Sequence, residues 1–305
     1  MKLALGVKSD PIQYRYSYEW LFDLMAEAGA GYLQFGSFFE MYSLEPEWFA
    51  RLREQAAARG IKIKSLFTAH RELGGLMSGD PSFERVARDS YRKLLDVATA
   101  LGVEFAGSSM GGVLYDCADH KPEGMRRSVE FLKEMAHVAH EKGLRALTIE
   151  PMSCLAEPPT IGSECVSLMT ELADYRAKHA DAAPVHFCAD ISHGYADENR
   201  KVVEDNWSLF AAQIPWMCEF HFKNTDAVFN STFGFSPAEI ERGIVDLPRL
   251  RSLLDANADR FPVGDVTGYL ELNHVKIGRD YTDKTLGAVL LESIAAMREH
   301  FDFAP

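Results

Sequence analysis

Four acidic or imidazole side chains lie in four consecutive apolar segments in the second half of the chain, toward the C-terminal ends of the predicted strands. The segments are ALTIEPM (146–152), VHFCADI (185–191), CEFHFKN (218–224) and YLELNH (269–274), and the side chains are those of Glu150, Asp190, His221 and Glu271. A carboxylate in an apolar strand costs several kcal/mol unless a partner or a cation compensates its charge. Singly, each residue could be a helix cap, a salt-bridge partner or a core histidine. Together they predict one shared site.

The residue types in this set suit a metal ion. Three converging carboxylates would repel one another without a cation. Carboxylate oxygens with one imidazole favour Mn²⁺, Mg²⁺ or Co²⁺ over a thiolate-seeking ion, and Zn²⁺ is also compatible. We therefore expect one divalent metal ion at these four residues, where it could act as a Lewis acid on a carbonyl or hydroxyl oxygen of a substrate.

The four segments belong to a regular alternation that runs along the whole chain. Apolar, strand-like runs alternate with helical stretches, which gives eight strand–helix units without a low-complexity linker. Gly60, Gly102 and Gly143 each precede a predicted strand, as helix-ending glycines do. This pattern predicts one α/β domain over residues 1–305, a (β/α)8 TIM barrel, whose strands end around a common mouth. An open doubly wound sheet is disfavoured because the turn VKSDPIQYRY (7–16) has no glycine-rich phosphate pattern.

Composition excludes several classes of partner. The net charge of −13 and the absence of a lysine- or arginine-rich cluster argue against nucleic-acid binding. No apolar run approaches the roughly 18 residues of a membrane span, and the first residues do not resemble a secretory signal. The five cysteines include no CxxC pair, as expected of reduced thiols in a cytoplasmic protein. A homo-oligomer is compatible with the sequence, which does not define the oligomeric state.

The strand-end residues and the segment DISHG (190–194) resemble the xylose isomerase-like TIM barrels, a family of sugar and sugar-phosphate isomerases and epimerases that includes D-tagatose 3-epimerase and its relatives. The resemblance extends over essentially the whole chain in strand order. It implies that the four strand-end residues bind one divalent ion. It also implies that Glu150 and Glu271 are the catalytic acid–base groups.

Four further residues are candidates for substrate binding. The family resemblance assigns His193 to substrate hydroxyls near the metal and matches Glu157 to a substrate-binding glutamate. By position, His70 closes the third predicted strand, and Lys223 lies one step beyond His221 on the same strand face. Lysine and arginine residues near the last two strands could also receive a phosphate, a common location in this fold; they are Lys223, Lys276 and Arg279.

This site predicts a metal-dependent ketose or ketose-phosphate epimerase or isomerase. Proton removal beside a sugar carbonyl gives an enediolate that a metal would stabilise. Two glutamates could remove the proton and return it, which gives epimerisation or aldose–ketose isomerisation. A sugar-acid or inosose dehydratase would use the same residues, and a sugar-binding barrel without catalysis is a further alternative. An endonuclease IV-like DNA repair enzyme is disfavoured, because GSSM (107–110) lacks the histidine that its three-zinc site needs.

Overall fold

The computed structural model describes residues 1–36, 39–68, 75–272 and 283–304. Within these ranges eight parallel strands close into a barrel, with helices between successive strands, and the predicted TIM barrel is therefore confirmed. The barrel strands are β1 Lys2–Lys8, β2 Tyr32–Phe35, β3 Lys62–Thr68, β4 Phe105–Ser108, β5 Ala146–Ile149, β6 Val185–Asp190, β9 Met217–Phe222 and β10 Asp265–Leu270. The helices are α1 Tyr18–Ala28, α2 Phe39–Ser43, α3 Pro46–Ala57, α4 Pro81–Leu101, α5 Lys121–Glu141, α6 Gly162–Lys178, α7 Asn206–Gln213, α8 Pro237–Ile240, α9 Leu247–Ala256 and α10 Leu286–His300.

Closure of the barrel depends on the first and last strands. Strand β1 pairs with β10 in parallel, from Lys2 opposite Asp265 to Val7 opposite Leu270. The remaining order places β10, β9, β6 and β5 side by side. The four strands whose ends carry the predicted metal ligands are therefore neighbours in the barrel wall.

Helix α4 shows how the sequence produces the outer layer. The side chain of Asp80 accepts hydrogen bonds from the first backbone N–H groups, Pro81 follows it, and Gly102 ends the helix in a left-handed conformation. One face of the helix is buried against the barrel, including Leu94 and Leu101. No described helix is both long and apolar enough to cross a membrane.

A small antiparallel hairpin interrupts the alternation after β6. Its strands are β7 Tyr195–Ala196 and β8 Val202–Glu204. The sequence pattern predicts a helix from about residue 200, but Asp197 closes a turn here by accepting hydrogen bonds from backbone N–H groups, and Arg200 has a positive φ of 62°. Helix α7 begins only at Asn206, where the preceding Asp205 caps it.

The N-terminal ends of the strands form a charged floor opposite the mouth. Lys64 is buried and lies 3.0 Å from both Asp265 Oδ2 and Thr267 Oγ1. Arg145 contacts the same carboxylate and that of Glu104. Burial would raise the pKa of Asp265, but these cations lower it to about 2, so this end of the barrel is cross-linked by ion pairs.

Candidate active site

The four predicted ligands converge at the C-terminal ends of neighbouring strands. Glu150 directly follows β5, Asp190 ends β6, His221 lies in β9, and Glu271 directly follows β10. One potential ligand atom of each lies within 4.8 Å of those of the other three. His221 Nδ1 is 3.0 Å from Glu150 Oε1 and 2.9 Å from Glu271 Oε2. The barrel therefore brings together residues that are 121 positions apart in the chain, from 150 to 271.

Two carboxylate oxygens in this cluster have no hydrogen bond. Asp190 Oδ1 accepts one from the backbone N–H of Ser192 at 2.7 Å, which fixes the side chain. Its other oxygen, Oδ2, is buried without a hydrogen bond, as is Glu271 Oε2. Lys223 Nζ lies 3.0 Å from Asp190 Oδ2, and His221 Nδ1 lies 2.9 Å from Glu271 Oε2. Neither contact has the geometry of a hydrogen bond, so both oxygens keep lone pairs that a cation could use. This is the first observation that fits a metal ion.

The orientation of His221 is the second observation that fits a metal ion. Its Nε2 lies 2.8 Å from Gln34 Oε1, an oxygen that can only accept, so Nε2 carries the hydrogen. Nδ1 faces the carboxylates of Glu150 and Glu271, and loss of its proton would leave a lone pair there for a metal ion. Metal-binding histidines are commonly held by such a bond from the other nitrogen. Gln34 in β2 was not among the predicted site residues.

Among the residues that the structure describes, two buried lysines enter the cluster, and Lys223 alone of these two was predicted. Lys223 Nζ is 3.0 Å from Asp190 Oδ2 and 3.5 Å from Glu271 Oε1. Lys8 Nζ, from the end of β1, is 3.4 Å from Glu271 Oε1 and 3.2 Å from Asp10 Oδ2. Both ammonium groups thus neutralise carboxylates in the described arrangement. The signal in the sequence for Lys8 was a lysine closing an apolar strand in KLALGVK (2–8).

The charges of this cluster match those of one divalent ion. Among the described residues, its four carboxylates are those of Asp10, Glu150, Asp190 and Glu271, and its two ammonium groups are those of Lys8 and Lys223. A proton on His221 compensates one of the two remaining negative charges, and both remain when the imidazole is neutral, as it is in a metal-bound ring. The donor types, the oxygens without hydrogen bonds and this excess charge all fit a divalent cation.

The electrostatics lower the pKa values of Asp190 and Glu271. Burial would raise the pKa of Glu271, but Lys223, Lys8 and His221 hold that pKa well below its usual range. Burial would also raise the pKa of Asp190, but the nearby Lys223 holds that pKa below its usual value. For His221, burial would lower the pKa, whereas the surrounding carboxylates raise it well above the usual value. Glu271 is therefore available in the form that accepts a proton.

The predicted substrate residues lie at an adjoining cleft of about 240 Å³. We call it the inner cleft; Glu157, His193 and Lys223 line it. His193 Nδ1 is 2.7 Å from the carbonyl oxygen of Pro151 and donates to it, because a carbonyl only accepts. Its Nε2 is left facing the cluster, 3.4 Å from Asp190 Oδ2. Predicted residues His70, Lys276 and Arg279 lie outside the described residues.

A glycine positions the loop that carries Glu157. A Cβ atom on Gly112 would lie 2.9 Å from the carbonyl oxygen of Ala156 and 3.0 Å from Glu157 Cγ. The backbone N–H of Val113 also donates to the Ala156 carbonyl at 2.8 Å. The glycine-rich run GSSMGG (107–112) therefore lets the loop at residues 151–160 pass close to the end of β4.

A second layer of polar groups lies deeper in the barrel. Glu219 is fully buried and accepts a hydrogen bond from Ser65 Oγ at 2.9 Å. Burial raises the pKa of Glu219 to about 7. Cys188 Sγ lies 3.3 Å from His221 Nε2, and burial raises the pKa of this thiol to about 12. These groups form a buried polar network beneath the cluster.

Sequence comparison identifies the family. Residues 22–262 match the family described as xylose isomerase-like TIM barrel. The chain belongs to this family. No curated protein matches the chain at a significant level.

Solved structures share the fold at low sequence identity. D-psicose 3-epimerase from Clostridium cellulolyticum H10, solved with D-tagatose, is 18% identical, with a TM-score of 0.71 over 98% of this chain and 99% of that one. The 3-keto-D-glucoside 4-epimerase of E. coli is 13% identical, with a TM-score of 0.61 over 98% and 100%. The probable 3-DHS dehydratase AsbF of Bacillus anthracis is 12% identical, with a TM-score of 0.67 over 98% and 99%. Epimerases and a dehydratase are thus similar to this xylose isomerase-like barrel in fold.

Proposed function

We propose that this protein is a divalent-metal-dependent epimerase or isomerase of ketoses or ketose phosphates. The observation that carries the proposal is the convergence of three carboxylates, two of them buried and that of Glu271 partly buried, on the buried His221. Glu150, Asp190, His221 and Glu271 would hold the ion. Similarity in fold to D-psicose 3-epimerase and to 3-keto-D-glucoside 4-epimerase supports the same reaction class.

The ion and the protein have separate tasks in this proposal. When bound, a divalent ion supplies Lewis-acid stabilisation for negative charge that develops on substrate oxygens. Glu271, kept ionised by its neighbours, removes the proton from the carbon beside the carbonyl. Glu150, after taking up a proton from solvent, delivers it to the substrate, and Glu271 releases the abstracted proton to solvent. Return to the opposite face of the same carbon gives an epimer, and return to the neighbouring carbon gives an isomer.

The other residues of the inner cleft orient the sugar. His193 Nε2 can accept a hydrogen bond from a substrate hydroxyl, because Nδ1 donates to Pro151. Glu157 would accept from another hydroxyl at the outer side of the cleft. Lys223 would stabilise a nearby oxyanion, since a metal ion would take over neutralisation of Asp190 and Glu271. These roles fix which carbon faces the two glutamates.

Proton exchange with solvent tests the function before the product is known. Chelator-treated protein would be compared with protein reloaded with Mn²⁺, using D-fructose, D-psicose, D-tagatose and their phosphates in deuterated water. We expect deuterium beside the carbonyl only in the metal-loaded protein, observed by NMR. Full exchange in metal-free protein would contradict the assignment. A product that has lost one water relative to the substrate would indicate the dehydratase reaction.

The two glutamates are tested by replacing each with glutamine. Glu271→Gln and Glu150→Gln preserve size and one coordinating oxygen but remove the base. Net epimerisation should fall by several orders of magnitude, of which general base catalysis accounts for about 10²–10⁴. Metal content measured by elemental analysis is the control. A Glu271→Gln protein that retains metal and epimerises at the wild-type rate would show that Glu271 is a ligand only.

A further inference from the structure

The inner cleft adjoins a larger cavity of about 770 Å³, which we call the outer cleft. The two share part of their walls, namely Ser153, Cys154, Phe229 and Asn230. A ligand in the inner cleft, beside Lys223 and His193, therefore lies next to the outer cleft and could extend toward it. The outer cleft by itself has the size of an ordinary small-molecule site, whereas the inner cleft is smaller.

Aromatic rings line the outer cleft. Tyr115, Tyr195 and Phe229 contribute to its wall, and Tyr115 is 84% exposed. The ring of Phe229 lies directly on Gly194, where a Cβ atom would be 2.5 Å from Phe229 Cζ. Since Gly194 follows His193, this contact links the aromatic wall to the substrate-binding histidine. Rings of this kind offer flat apolar faces with a polar tip, suited to the C–H faces and hydroxyls of a sugar ring.

The charges around the outer cleft do not favour an anion. Lys121 is paired with Glu164 at 2.6 Å. The remaining charged side chains of the wall are Asp197, Glu198 and Arg200, two acids against one base. A phosphate would meet net negative charge here, whereas a neutral ring would not.

We propose that the outer cleft is a subsite for a second, neutral sugar ring, so that the substrate class is a glycosylated ketose rather than a free monosaccharide. The inference rests on the proposed function, because the glutamates define which ring reacts. The ketose ring would occupy the inner cleft, and the second ring would stack on Tyr115 and Phe229. Sugars that carry their glycosyl group on a carbon remote from the reacting one satisfy this arrangement.

Isomaltulose, a fructose with glucose on its sixth carbon, is a suitable probe, and D-fructose is its matched comparison. Saturation-transfer NMR on the Mn²⁺-loaded protein should show contact with protons of both rings of isomaltulose. In the exchange assay, kcat/KM should be at least about tenfold higher for isomaltulose than for D-fructose. Tyr115→Ala should lower kcat/KM for isomaltulose about tenfold, well beyond its effect on D-fructose. Phe83→Ala, which removes an aromatic that is 60% exposed and lines neither cleft, should change neither value.

The results separate the subsite from the reaction. Saturation of both rings without deuterium exchange in either sugar would leave the subsite in place and overturn the proposed function. Exchange in D-fructose with no preference for isomaltulose, or saturation of the fructosyl ring alone, would overturn the subsite. An equal loss for both sugars in Tyr115→Ala would also overturn it, as would failure of isomaltulose to bind.

Discussion

The two ring nitrogens of His221 have different partners. The hydrogen bond from Nε2 to Gln34 orients the ring so that Nδ1 faces the carboxylates. Replacing Gln34 by leucine removes the acceptor at 2.8 Å from Nε2 and lets the ring rotate or change tautomer. Loss of such an orienting partner typically weakens metal binding by about 10–100-fold. We expect Gln34→Leu to weaken Mn²⁺ binding to that extent, measured by competition with a chromophoric chelator.

A matched control is Gln213→Leu. Gln213 is equally buried and donates to the backbone carbonyl of Leu209, away from the cluster. This variant should bind Mn²⁺ like the wild type even if it is less stable. Equal affinity in Gln34→Leu and the wild type would show that Gln34 does not orient the metal-binding imidazole.

His186, on the same strand face as Asp190 but deeper, gives the fold a sensitivity to acid. Burial and the nearby Arg145 lower its pKa to about 4, and Nδ1 has no hydrogen bond. In the unfolded chain the pKa is about 6.5, so the unfolded state gains the proton first as pH falls. Stability is therefore lost from about pH 6.5 down to about pH 4, and no further loss from this group occurs below that.

This predicts a change in the pH dependence of His186→Leu. Between pH 7 and pH 5 the wild type should lose about 1–2 kcal/mol of unfolding free energy through this group, and the variant should not. Urea denaturation at the two pH values measures the difference. His140→Leu, at an exposed position, controls for losing a histidine. Parallel pH profiles of His186→Leu and the wild type would contradict the prediction.

The site could be predicted where a residue conflicts with its local pattern. Glu150 and Glu271 are charges at the ends of apolar segments, which marks them in the sequence alone. Gln34 and Lys8 are polar residues that nothing in their own strands marks as unusual. Their contacts with the cluster form only when the barrel closes. Their contacts join residues 8 and 271, and 34 and 221, across the barrel. No local pattern contains that information.

At the scale of elements, the loop after β5 depends on a glycine of the preceding unit. Gly112→Ala would place a methyl group about 3 Å from the loop backbone and from Glu157 Cγ. The loop must shift by a few tenths of an ångström, which moves Glu157 relative to the inner cleft. We expect kcat/KM to fall by about threefold to tenfold with metal content unchanged.

Gly31→Ala is the matched control, because a Cβ atom there meets no other atom within 4 Å. It should leave kcat/KM at the wild-type value. If Gly112→Ala behaves in the same way as Gly31→Ala, the loop tolerates displacement and Glu157 does not require its present position.

The hydrophobic periodicity of the sequence predicted the strands and helices of the barrel. It failed where side-chain hydrogen bonds to the backbone determine the local structure. The eight strand–helix units were predicted because each strand is a short apolar run followed by an amphipathic helix. The hairpin of β7 and β8 was missed, since its turn depends on Asp197 bonding to the backbone of residues 199 and 201. The apolar segment 146–152 also extends beyond its strand, because β5 ends at Ile149. Glu150, directly after that end, belongs to the cluster at the mouth.

For the whole molecule, the proposed metal site joins four neighbouring strands. Each ligand comes from a different strand, in the barrel order β5, β6, β9 and β10. The complete set of ligands exists only when the barrel is closed, and the unfolded chain has no equivalent site. Metal binding should therefore be linked to folding.

The last prediction follows from that linkage. At a free Mn²⁺ concentration of 100 times Kd, the unfolding free energy of the chelator-treated protein should rise by about 2.7 kcal/mol, measured by urea denaturation. Asp190→Asn removes a ligand charge at constant size and should lose most of this increment. Asp246→Asn, which changes an exposed cap of α9 to another good capping residue, should retain it. An increment of the same size in Asp190→Asn would mean that Mn²⁺ stabilises the barrel from another place, and the four-residue cluster would then not be its site.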